Sequence, residues 1–101
     1  MTSLDQHATP YLDALEDYVK ACTVSFHTPG HKHGVGMHAR LRDLIGDDVL
    51  KIDLTQVRGL DDLNAPHGPI RTAQELAADA YGASRSYFLV NGSSCSTSRR
   101  A

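Results

Sequence analysis

Histidine is concentrated in one short stretch of this 101-residue chain. His27, His31 and His33 lie within Phe26-His27-Thr28-Pro29-Gly30-His31-Lys32-His33-Gly34, and His38 follows closely. Three neutral imidazoles could hold a zinc ion and leave a fourth position open to water or substrate. Against that, Pro29-Gly30 breaks any helix that would align His27 with His31, and no HExxH pattern is present. Loop histidines flanked by glycine are more often hydrogen-bonded in place or in contact with a ligand or partner. No metal site is expected.

Asp61-Asp62 offers two carboxylates, yet neighbouring residues rarely face one pocket, and loop aspartates commonly cap or turn the backbone. The structural role is the expected one. Cys95 has hydroxyl neighbours but no histidine placed with it by a local motif, so it reads as a small buried or adventitious cysteine rather than a nucleophile. No residue is assigned a catalytic role.

Asn91-Gly92-Ser93-Ser94 is a different kind of segment, because it follows the apolar run Ser86-Tyr87-Phe88-Leu89-Val90. In α/β proteins ligands sit at the carboxyl ends of strands, and the amides and dipole of a helix that starts there stabilise an anion. Asn-Gly also makes plain turns, so these four residues alone leave both readings open.

The elements that must position these residues are legible in part. Pro10 suits a first helical position, and Tyr11, Leu12, Leu15, Tyr18, Val19 and Cys22 recur on one face, which predicts a helix over 10–21. A second helix over 70–81 follows Gly68-Pro69, carries Ile70, Ala73, Leu76, Ala77, Ala80 and Tyr81 on one face, and stops at Gly82. A strand is predicted at 86–90. A short helix is expected over 37–45 with Gly46 as its stop, a short strand over 49–54, and an irregular segment over 55–68. Residues 1–8 are polar and expected to be disordered.

Bulk properties narrow the classes. A net charge of −2 lacks the concentrated basic footprint of a nucleic-acid binder. No apolar run approaches the ~20 residues that span a bilayer, and the first residues lack the basic-then-apolar pattern of a secretory signal. Cys22 and Cys95 form no CxxC pair, and two free thiols suit a reducing cytoplasm. One strong strand cannot make a sheet, so the pattern of helix, loop, helix, strand and turn reads as the beginning of an α/β domain.

Four segments acquire meaning together: Phe26 to Lys32, Asp53-Leu54-Thr55 through Gly59-Leu60-Asp61-Asp62-Leu63, Ala73 to Ala77, and Tyr87 to Ser94. In this order and spacing the chain resembles, over about residues 9–95, the N-terminal part of the Orn/Lys/Arg decarboxylase family. The resemblance implies a pyridoxal-phosphate-dependent lyase of the aspartate-aminotransferase fold (fold type I), with a mostly parallel sheet and a homo-oligomeric assembly. It further implies that Ser93 and Ser94 begin the helix that grips the cofactor phosphate. His27 and His31 are implied to lie on a loop near the active site, at a substrate entrance or subunit contact. It also implies a basic amino acid as the substrate class and cytoplasmic polyamine biosynthesis as the setting, and neither nucleic acid nor membrane is an expected partner.

The departures from the family pattern are also informative. The family's Schiff-base lysine and the aspartate that pairs the pyridinium nitrogen belong to motifs that this sequence lacks. Lys20, Lys32 and Lys51 match neither. After Ser94 the family continues into an apolar helix, whereas residues 96–101 read as an aberrant or frameshifted tail. The expectation is therefore a decarboxylase fragment in three parts, 1–8, 9–95 and 96–101, inactive alone. The alternative is a non-catalytic interaction protein that pairs with a full-length relative.

Overall fold

The computed structural model describes residues 4–94. The helices complete among these residues are α1 (Pro10–Lys20), α2 (Ala39–Ile45), α3 (Asp47–Lys51) and α4 (Pro69–Tyr81). The chain divides into two compact units. One comprises Leu12–Leu60, and the other joins the residues up to Tyr11 with those from Asp61 onward.

Local chemistry accounts for the two longer helices. Pro10 opens α1, where the lack of an N–H costs no helical hydrogen bond, and Lys20 places positive charge in the last turn. Pro69 stands in the first turn of α4, and Gly82 ends it in the left-handed conformation at φ 65°. The Gly82 amide donates back to the carbonyls of Ala78 and Asp79. Both helices fall within a residue of the ranges their periodicity predicts.

Two expectations are corrected. The segment 86–90 is not a strand, and the described residues contain helices but no strand, so the expected α/β architecture is not formed among them. Apolar alternation can extend a backbone, but a strand exists only when a second backbone satisfies its amides and carbonyls. Ser86 Oγ instead donates to the Gln74 carbonyl on α4. The predicted strand within 49–54 is also absent, since Asp47–Lys51 is helical. Asp47 and Asp48 in its first turn and Lys51 in its last complement the helix dipole. Gly46, at φ 87°, separates α3 from α2 and returns its amide to the Arg42 carbonyl.

Leu50 and Leu60 form the buried core of the Leu12–Leu60 unit, while Ile70 and Ala78 are buried in the other. Much apolar surface stays in water: Tyr81 is 89% exposed, Tyr87 68% and Val90 54%. The apolar stripe of α1 contains no buried residue. The two longer helices, α1 and α4, have the amphipathic pattern of a core element, yet the described residues cover little of it. The segment 55–68 is irregular, as its composition predicts.

Candidate functional site

In the Leu12–Leu60 unit the histidine-rich loop is tied down by hydrogen bonds. Three consecutive residues, Lys32, His33 and Gly34, have positive φ, so the chain reverses sharply there. The Gly34 amide donates to His31 Nδ1 at 2.9 Å, and the Gly36 amide donates to the His31 carbonyl at 2.8 Å. Because Nδ1 accepts, the ring proton is on Nε2, which donates to Asp53 Oδ2 at 2.9 Å. Both nitrogens of His31 are thereby committed to holding the loop.

His27 is held differently. Its Nδ1 donates to the Thr28 carbonyl at 2.8 Å, which leaves Nε2 as a bare acceptor. That Nε2 atom is buried without a hydrogen-bond partner. The ring meets Tyr18 and His33 edge-on, at centroid distances of 5.9 and 5.6 Å. Lys32 Nζ donates to the His27 carbonyl at 2.9 Å. His38 is drawn away from the cluster: it caps α2, its Nδ1 accepting the Arg40 amide. Among the described residues no group of three or more His, Cys, Asp or Glu side chains converges to hold a metal ion.

Arg42 closes the loop from α2. Its guanidinium donates to the Gly34 carbonyl at 2.6 Å and to the Val35 carbonyl at 3.2 Å, and it pairs with Asp47 at 3.6 Å. Gly34 therefore donates to His31 while accepting from Arg42. A Cβ at Gly34 would lie 2.9 Å from Leu50 Cβ, so the core side chain and the loop backbone share the space that glycine leaves.

In the other unit, Asp61 and Asp62 resolve into structural roles. Asp62 Oδ1 accepts the Asn64 amide at 2.9 Å, a local turn. The Asp61 side chain is fully covered and accepts the amides of Asp62, His67, Gly68 and Ile70. Burial by itself raises its pKa, but the four donated amides outweigh it and hold the carboxyl well below the usual carboxylate range. Gly68, the N-cap of α4, has no side chain to cap with, so Asp61 supplies that function from seven residues upstream. Half-buried Tyr11 has a raised pKa, chiefly from burial and secondarily from the Asp61 charge.

The turn expected to bind an anion follows residues 86–90. Asn91 and Gly92 turn the chain, and Ser93 and Ser94 are helical. Gly92 has φ 66°, its amide donates weakly to the Leu89 carbonyl at 3.4 Å, and a Cβ there would meet open space. Cys95 and the expected tail at 96–101 lie outside the described residues.

Residues 9–99 match the family model described as Orn/Lys/Arg decarboxylase, major domain. The chain belongs to the Orn/Lys/Arg decarboxylase family. It is 46% identical over 91 residues to an arginine decarboxylase of Bacillus subtilis, covering 90% of this chain and 19% of that one. It is 35% identical to the constitutive lysine decarboxylase of Escherichia coli, covering 92% and 14%. With the constitutive ornithine decarboxylase of the same organism it shares 33% identity, covering 84% and 13%. The chain thus spans at most about a fifth of the length of the curated relatives it matches. No solved structure gives a significant match.

Sequence reasoning did not single out the His31–Asp53 pair or the capping role of Asp61 toward α4. Twenty-two residues separate the first pair, and no periodicity connects a loop histidine to a distant aspartate. The Gly68-Pro69 start, which has no capping side chain of its own, was the one available signal for the second.

Proposed function

We propose that this chain is the N-terminal part of a pyridoxal-phosphate-dependent decarboxylase of a basic amino acid, and that it is inactive alone. The observation that carries this reading is the match of residues 9–99 to the decarboxylase major domain, and the turn at Asn91-Gly92 followed by helical Ser93 and Ser94, with open space over Gly92, supports its cofactor part. Hydroxyls and amides at a helix start suit a phosphate by charge and by donor count. Ser93 and Ser94 would hold the phosphate of the cofactor, and Gly92 would let it approach the backbone. When bound, pyridoxal phosphate supplies the electron sink for the carbanion that decarboxylation leaves.

The histidine loop has a positioning role in this reading. His31 shapes the loop near the active site rather than acting on a substrate, because both ring nitrogens are engaged within the loop and with Asp53. His27 lies on the same loop, at a substrate entrance or subunit contact in this reading, with its Nε2 buried and unpaired. The intact protein has the α/β architecture of the aspartate-aminotransferase fold, assembles as an oligomer and works in the cytoplasm.

The three lysines, Lys20, Lys32 and Lys51, match no cofactor-attachment motif, and Lys32 Nζ is already bound to the His27 carbonyl. Borohydride reduction of the chain with pyridoxal phosphate, followed by peptide mapping, is expected to show only scattered substoichiometric labelling. Carbon dioxide release from arginine, lysine or ornithine is expected to be nil. Stoichiometric labelling of one lysine with turnover would overturn the proposed inactivity.

A second reading is supported by the exposed apolar side chains of Tyr81, Tyr87, Phe88 and Val90. Such a surface favours association, and the chain would then act as a non-catalytic partner of a full-length relative. Co-purification of a tagged chain with that relative tests it.

A further inference from the structure

We propose that His31 is a proton-sensitive latch for the loop from His27 to Met37. The neutral, Nε2-protonated ring holds the loop closed, and protonation at Nδ1 opens it. The latch rests on three contacts that converge on one residue. Nδ1 accepts the Gly34 amide, Nε2–H donates to Asp53, and the His31 carbonyl accepts the Gly36 amide. The His31 side chain is only 10% exposed. A proton added at Nδ1 removes the acceptor and sets one N–H against another across 2.9 Å.

The surrounding charges divide in their effect. Asp53, on the segment after α3, favours a charged ring, but its side chain is 58% exposed and water screens it. Arg42, from α2, donates to the carbonyl of the same Gly34 and opposes a second positive charge nearby, while Asp47 partly offsets Arg42. On the loop itself, Lys32 is turned to the His27 carbonyl, and His33 packs edge-on against the His27 ring. The Gly34 residue is buried, so water cannot readily replace the lost acceptor. Protonation therefore strengthens one screened contact and breaks one sheltered contact, and the loop opens around Gly34.

Two measurements on the full chain test the latch. Ring ¹⁵N shifts at about pH 7.5 are expected to show His31 protonated at Nε2 only, as its two hydrogen bonds require. Hydrogen exchange of the Gly34 amide, corrected for intrinsic rate, is expected to lose about fivefold or more of its protection between pH 7.5 and about pH 5.5. The Gly82 amide, which donates to α4 in the other unit, should keep its protection and serves as the reference. His31→Asn retains an acceptor but does not titrate, so the Gly34 change should vanish in it. An Nδ1-protonated ring at the higher pH overturns the proposal, and so does unchanged Gly34 protection in the wild-type chain. Neither of these readouts depends on the variant folding.

Discussion

The Asp61 carboxylate accepts the backbone amide of Gly68 at 2.7 Å and so begins a helix that it does not belong to. The same oxygen accepts the Ile70 amide at 3.0 Å, and the other takes the amides of Asp62 and His67. Four donors converge on one covered side chain, which organises the entry to α4. The positive φ of Asp61, 70°, is one that aspartate and asparagine tolerate better than most residues.

Asp61→Asn is expected to destabilise the chain by about 1–3 kcal/mol. Asparagine can keep the backbone conformation, but its amide nitrogen turns one acceptor into a donor, and either orientation faces bound N–H groups. A urea midpoint shift followed by far-UV circular dichroism measures the loss. A midpoint equal to wild type would mean that the four amides find other acceptors.

Acid should remove the same stabilisation. The folded-state pKa of Asp61 is depressed, so its contribution is complete above the unfolded value of about 3.9 and is lost as pH falls toward the lower folded value. Stability measured downward from pH ~5 should decline below pH ~4 in wild type, and the decline should be shallower in Asp61→Asn. Parallel curves for the two proteins would assign the acid loss to other carboxylates.

Gly34→Ala should be costly for two separate reasons. The φ of 94° is strained for any L side chain, and the new Cβ would stand 2.9 Å from Leu50 Cβ, close to backbone that cannot simply rotate away. Overpacking and strain together are expected to cost about 2–4 kcal/mol. Thermal denaturation measures it. Leu50→Ala in the Gly34→Ala background removes the contact with Cδ1 but keeps the one with Cβ, so it should not restore stability, and full rescue would show that neither the Cβ contact nor backbone strain carries the cost.

The phosphate reading predicts a local, weak response. Amides from Gly92 to Ser94 should shift in an NMR titration with inorganic phosphate or pyridoxal phosphate, with affinity in the millimolar range or weaker. A helix N-terminus contributes only ~0.3–2 kcal/mol toward a nearby charge. Ser93→Ala combined with Ser94→Ala should weaken the response, since the hydroxyls are lost and the backbone amides remain, while leaving α4 resonances in place. Shifts that arise elsewhere and spare Gly92 to Ser94 would assign the anion to another place.

The sequence by itself determined the two longer helices, because their signals are local: proline at the start, glycine at the end of α4, and apolar residues on one face between. It also made the family visible, through four short segments whose order and spacing carry the resemblance. Tertiary structure decided what depends on a second piece of chain. Residues 86–90 have strand composition, yet pairing needs another backbone, and among the described residues none provides it. Residues 47–51 became helical because charges in a single turn outweighed a brief alternation. The His31–Asp53 bond and the capping of α4 by Asp61 join residues that sequence spacing does not connect. Hydrogen bonds of that kind depend on where folding brings two groups, and only the folded backbone places them within 3 Å of each other.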